Sequence, residues 1–157
     1  MSGSPAPFGP LDALTADTRA ERQTALRALH VLEYALAAPA PRRHRTWLHR
    51  VTIAVDALHT ALRAQVPTAG DPIRLLDEIA LCHPDYLPQV EQLHKELLDL
   101  TIAVASLREQ IEPDPTIDVN PDDIRMRLST LTKQFREHQA READLVYDAF
   151  GHDLDEM

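Results

Sequence analysis

The sequence predicts an all-α fold: an antiparallel up-down-up-down four-helix bundle with a short extra helix between the second and third long helices. Three observations carry this. The 12 prolines and 4 glycines of the 157-residue chain cluster, leaving 11–38, 42–66, 89–112 and 122–150 free of both. Leu (22) and Ala (21), both good helix formers, exceed a quarter of the residues. Aromatics are only 4%, and turn signals do not recur every ~8–12 residues as in an all-β domain. The Gly-rich turns of an alternating β/α fold are missing as well. Helices of similar length joined by short links pack most simply as antiparallel neighbours.

Residues 1–10 are small and Pro-rich without an apolar period, and read as a disordered tail before a bundle domain at 11–150. The first helix lies within 11–38; Thr18 and Glu21 have capping-box spacing, so a start near 18 competes with one near 11. Leu26, Leu29, Leu32 and Leu36 form its apolar face, and Pro39-Ala40-Pro41 ends it. The second helix, 42–66, carries Leu48, Val51, Val55, Leu58 and Leu62 at alternating steps of 3 and 4. Asp71-Pro72 reads as an N-cap followed by Pro at the first helical position, predicting a short helix over 72–82. Pro84 and Pro88 bracket a turn into the third long helix, with its stripe Val90, Leu93, Leu97, Leu100, Val104, Leu107 and Ile111. A loop at 112–121 follows. Asn120 is placed to cap the last helix, with Pro121 at its first position and Asp122 and Asp123 at the positive end of the dipole. That helix has the seam Ile124, Leu128, Leu131, Phe135, His138, Glu142, Leu145 and Ala149, so two polar residues stand where a core belongs. Residues 151–157 read as a frayed acidic tail.

Composition narrows the function. A net charge of −9 makes the chain a poor non-specific nucleic-acid binder, because phosphate contacts dominate that affinity. No apolar run approaches the ~18 residues of a membrane span. The start, Met1 to Pro7, lacks the basic-then-apolar pattern of a signal peptide. A cytoplasmic protein with no membrane or nucleic-acid partner is expected. The single cysteine, Cys82, allows no internal disulfide and is expected to be half-buried and structural. Arg42, Arg43, His44, Arg45, His49 and Arg50 form a basic island that reads as a solvated loop and helix start, with an anion or partner patch as the alternative. Trp47 suits a core edge or an interface, and Tyr34, Tyr86 and Tyr147 suit boundaries between core and water. No nucleophile–base constellation or phosphate loop points to a conventional hydrolase or transferase, so no catalytic residue is assigned.

Antiparallel pairing with ~1.5 Å of rise per residue gives a height scale. Measured from the Pro and Gly boundaries, His59, His94 and His138 fall at one height on three helices, with Glu142 one turn beyond His138 and Glu21 nearby. His30 falls nearer the other end, level with His49. A His and a carboxylate four apart project from one helix face and can reach one metal ion. The same pair can also stay metal-free if its polar atoms are satisfied, or Glu142 can pair with an Arg.

The segment Leu131-Thr-Lys-Gln-Phe-Arg-Glu-His138-Gln-Ala-Arg-Glu142-Ala-Asp-Leu-Val-Tyr-Asp-Ala-Phe150 resembles the last helix of hemerythrin-like (HHE cation-binding) domains. His83-Pro-Asp-Tyr-Leu-Pro-Gln-Val-Glu-Gln-Leu-His94-Lys-Glu-Leu-Leu-Asp-Leu100 resembles their third helix with its inward His. The resemblance covers roughly 84–150; over 18–66 it rests on helix length and order. It implies an up-down bundle around non-haem iron that binds oxygen or nitric oxide or serves iron and redox handling, with His94, His138 and Glu142 as ligands and His59 and Glu21 as further candidates. The sequence also departs from the family. The family's second helix brings a carboxylate four residues after its His, but His59 is followed by Arg63. Oxygen-binding members carry a second His one turn after the first on the third helix, but here Leu98 stands one turn after His94. The expectation is therefore a hemerythrin-like binding or sensing module with a reduced or lost di-iron site, its cofactor iron (di- or mononuclear) or none. A metal-free interaction or regulatory bundle, dimerising through a helix face as a homodimer, stands beside it.

Overall fold

The structure, a computed structural model, describes residues 10–39, 44–111 and 120–151. Residues 1–9 of the expected N-terminal tail, most of the loop after the third long helix, Arg42 and Arg43 of the basic island, and most of the acidic tail lie outside the described residues, while Pro10, expected in the tail, opens the first helix. Within them the chain is helical: α1 (Pro10–Ala37), α2 (His44–Gln65), α3 (Leu75–Cys82), a single 3₁₀ turn (Pro84–Tyr86), α4 (Leu87–Ile111) and α5 (Pro121–Phe150). Among the described residues no helix is long and apolar enough to cross a membrane.

Each long helix packs chiefly on two of the other three: α1 on α2 and α5, and α4 on α2 and α5. Side chains tie distant points of the chain together. From the middle of α1, Arg22 reaches the Gln139 carbonyl in the second half of α5, while Arg125 early in α5 reaches the carbonyls of Leu36 and Ala38. Glu96 of α4 meets His138, and Gln110 meets Arg127. The apolar stripes read from the sequence face inward: Leu29, Leu32, Val51, Val55, Leu58, Leu62, Val104, Leu128 and Phe135 are fully buried.

The apolar interior comes in two parts. The larger cluster unites α1, α2, α4 from Leu97 onward and α5 up to Phe135. The smaller one joins Leu75 and Ile79 of α3, Val90 and Leu93 of α4, and Leu145 and Val146 of α5, with Leu14 of α1 against it. No residue of α2 belongs to the second cluster. Asp56 of α2 pairs with Arg108 near the end of α4, so the first turns of α4 lie beyond the end of α2. There α3 takes the place of α2 and covers the exposed stripe.

The helix ends show why breakers marked them well. Asn120 Oδ1 accepts from the Asp122 amide at 3.0 Å, and Pro121 occupies the first turn, as the sequence indicated. Gly151 takes the left-handed conformation that closes α5 (φ 67°), its amide donating to the Tyr147 carbonyl at 2.7 Å. The ends of α1 and α2 have no such glycine, and tertiary partners cap them. Trp47 Nε1 donates to the Ala35 carbonyl at 2.9 Å, and Arg125, stacked over the Trp47 ring, serves the next carbonyls of α1. Arg74 serves Ala64 and Gln65 of α2.

Two local expectations change. The short helix begins at Leu75 and not at Pro72, with Arg74 at the N-cap position making no side-chain capping bond. Asp71 is used elsewhere: its carboxylate accepts from the Thr68 amide at 2.8 Å, closing a turn in which Gly70 has φ 88°. Cys82, expected half-buried, is exposed, and its thiol donates to Glu78 Oε1. It is the last residue of α3, beyond the buried pair Leu75 and Ile79.

Phe135 is the largest fully buried side chain. Phe135→Ala should cost about 3–5 kcal/mol in urea unfolding, and Asn120→Ala about 0.5–2 kcal/mol.

Candidate functional site: a polar layer between two cores

The two apolar clusters are separated by polar side chains. On α5 the break falls between Phe135 and Leu145, where His138, Gln139 and Glu142 are buried together with Arg22 of α1. Arg22 Nη1 donates to the Gln139 carbonyl at 3.0 Å and lies 3.6 Å from Glu142 Oε1. The guanidinium thus brings one full positive charge to the carboxylate side of the seam.

His138 is held from α4. Its Nδ1 lies 3.0 Å from Glu96 Oε2; a carboxylate accepts only, so Nδ1 carries the hydrogen. Its Nε2 is buried without a hydrogen-bond partner and lies 4.0 Å from Glu142 Oε2. Arg141 Nε holds both oxygens of Glu96, at 3.1 and 3.2 Å. Burial pushes the Glu96 carboxyl up, but hydrogen bonds from His138 and Arg141, with the Arg141 charge, outweigh it and hold it below its ordinary range. The imidazole therefore lies between two carboxylates, each of which faces a guanidinium.

Beside this layer lies a cavity of about 260 Å³ lined by α1, the end of α2, α3, α4 and Glu142 of α5. Glu21, His94 and Glu142 line it, with Asp17 and Arg74. Glu21 is gripped by Arg74 at 3.2 Å. Its carboxyl is raised by burial, against the pull of Arg74, with Asp17, Glu142 and Asp71 adding to the rise. His94 Nε2 lies 3.8 Å from Asp77 Oδ1 of α3.

Of the five candidate ligands, Glu21, His94 and Glu142 line one cavity, and His138 Nε2 lies 4.0 Å from Glu142 Oε2. His59 does not join them. It stands by Arg63, Arg108 and Asp56, where burial and then the two arginines lower its pKa. The height scale placed the end of α2 opposite the start of α4, but α3 occupies that position and shifts the register. His138 is at the expected height on α4, but the residue facing it is Glu96. Residues two apart on a helix point nearly opposite ways, so His94 faces α3 while Glu96 faces α5.

Glu96, Arg22, Arg74 and Arg141 were not singled out by the sequence. Arg22 did carry a signal: it lies seven residues before Leu29 and fourteen before Leu36, on the apolar seam of α1. His30, His49 and His83 are exposed. Tyr34 and Tyr147 are exposed as well, while Tyr86 is half-buried.

Among the described residues no group of three or more His, Cys, Asp or Glu side chains could hold a metal ion. The Glu142 carboxylate already faces a guanidinium, whose charge would repel a dication. Three comparisons with known proteins add no relative: no family model, no curated protein and no solved structure matches the sequence.

The Glu96 interactions set a pH dependence. A folded-state pKa held below the unfolded value, about 4.3, adds stability that is present above that value and lost as pH falls through the folded pKa. The stability difference between wild type and Glu96→Gln should be constant above about pH 5 and shrink toward pH 3 in urea titrations. His138→Ala, which leaves Glu96 without its buried donor, should cost about 1–3 kcal/mol at pH 7.

Proposed function

We propose that this chain is an antiparallel up-down-up-down four-helix bundle of hemerythrin-like arrangement, in which an ion-pair layer stands where that family carries iron. On this reading it works as an interaction or regulatory module, without an oxygen-carrying or iron-redox role. The observation that carries the reading is the Arg22 guanidinium 3.6 Å from Glu142 Oε1, beside His138, at the level the resemblance assigns to metal. The cation that balances this buried carboxylate belongs to the chain itself.

Outward-facing apolar side chains support the interaction role. Leu98 and Ile102, one turn apart on α4, are 47% and 58% exposed, and Val31 and Tyr34 on α1 are 56% and 82% exposed. These are the faces through which a second copy or another protein would be met. The cavity beside the polar layer has Glu21, His94 and Glu142 among its lining, where a small ligand would meet them.

Iron reconstitution under reducing, oxygen-free conditions, followed by metal analysis and an absorption spectrum, tests the reading. The expected result is less than about 0.2 iron per chain, unchanged in His138→Ala. Near-stoichiometric iron that disappears in His138→Ala would contradict it.

A further inference from the structure

We propose that α3 is a strap that opens from the bundle as a unit, with Arg74 as its latch, and that its opening bares the cavity walled by Glu21, His94 and Glu142. The first support is length. At eight residues, α3 is too short to be helical without packing, so its order depends on what it touches. Its anchors are Leu75 and Ile79, fully buried in the smaller apolar cluster. That cluster is separated from the main core by the polar layer, so losing it leaves the larger core intact.

The second support is the backbone on either side. The segment before α3 turns at Gly70 (φ 88°) and runs from Asp71 to Arg74 without regular structure. Beyond Cys82, His83 leaves the helical region (φ −133°, ψ 80°) before Pro84. The Asp71–Arg74 end can therefore swing, while His83, edge-on to Tyr86 and Phe150, serves as the pivot.

The third support is the tie itself. Arg74, at the hinge next to Leu75, donates to Glu21 of α1 at 3.2 Å and to the Ala64 and Gln65 carbonyls at 2.9 and 3.2 Å. One half-buried side chain thus fastens the strap to both α1 and α2. Ile73, Arg74, Leu75 and Leu76 form a wall of the cavity, so lifting the strap removes that wall.

Native-state hydrogen exchange of the full chain, read by mass spectrometry at low urea, tests this. In wild type the amides of 75–82 should exchange through an opening of lower free energy than those in the centres of α2 and α5. Arg74→Met should speed exchange across 75–82 about tenfold or more, with the centres of α2 and α5 unchanged. Should Arg74→Met fail to fold, Glu21→Gln removes the other half of the latch and should act in the same direction with a smaller factor. Exchange of 75–82 only together with global unfolding would overturn the proposal. So would latch variants that speed all helices by one factor.

Discussion

The structure turns on a buried guanidinium and the carboxylate that faces it. Arg22 and Glu142 are both removed from water, between two apolar clusters that would each be satisfied by simple packing. Burying a lone charge costs several kcal/mol, so each group requires its partner in place. An apolar seam tolerates a slip of one turn, because one Leu replaces another. A buried ion pair does not, since a slip moves the guanidinium off the carboxylate it faces. Arg22 therefore fixes the height of α1 against α5. Glu96, holding His138 and gripped by Arg141, does the same for α4 against α5.

Arginine carries the same logic to the helix ends. Arg125 serves the last carbonyls of α1 from α5, and Arg74 serves those of α2 from the start of the strap. These carbonyls would otherwise need water or a glycine turn. The helix ends therefore form together with the tertiary structure, and not ahead of it. A fork of five donors suits that task, since one side chain can reach two carbonyls and a carboxylate at once.

Much of the architecture was legible in the sequence because breakers and apolar period are local properties. Asn120-Pro121 and Gly151 marked the ends of α5, and the Leu and Val stripes marked the buried faces. Asp71-Pro72 misled, because the same Asp that suits a helix cap also suits a turn with Thr68, and the turn uses it. At the site, the seam of α5 identified His138 and Glu142 as inward, and both are buried. Their partners were hidden for two reasons. Counting residues gives height but not direction, so His94 was paired with His138 where Glu96 faces it. The displacement of α2 by α3 is a tertiary event, and no spacing within α2 announces that His59 will meet Arg63 and Arg108. Arg22 was in heptad register with Leu29 and Leu36, yet a lone arginine on an apolar seam reads as a surface residue until its carboxylate is known.

The central claim is that Arg22 and Glu142 stabilise one another and not merely their own surroundings. A double-mutant cycle with Arg22→Met, Glu142→Leu and the pair, followed by urea unfolding at pH 7, tests it most directly. Each single change should cost about 3–5 kcal/mol by stranding the partner charge, and the double variant should recover most of that loss. Losses that simply add would contradict the account.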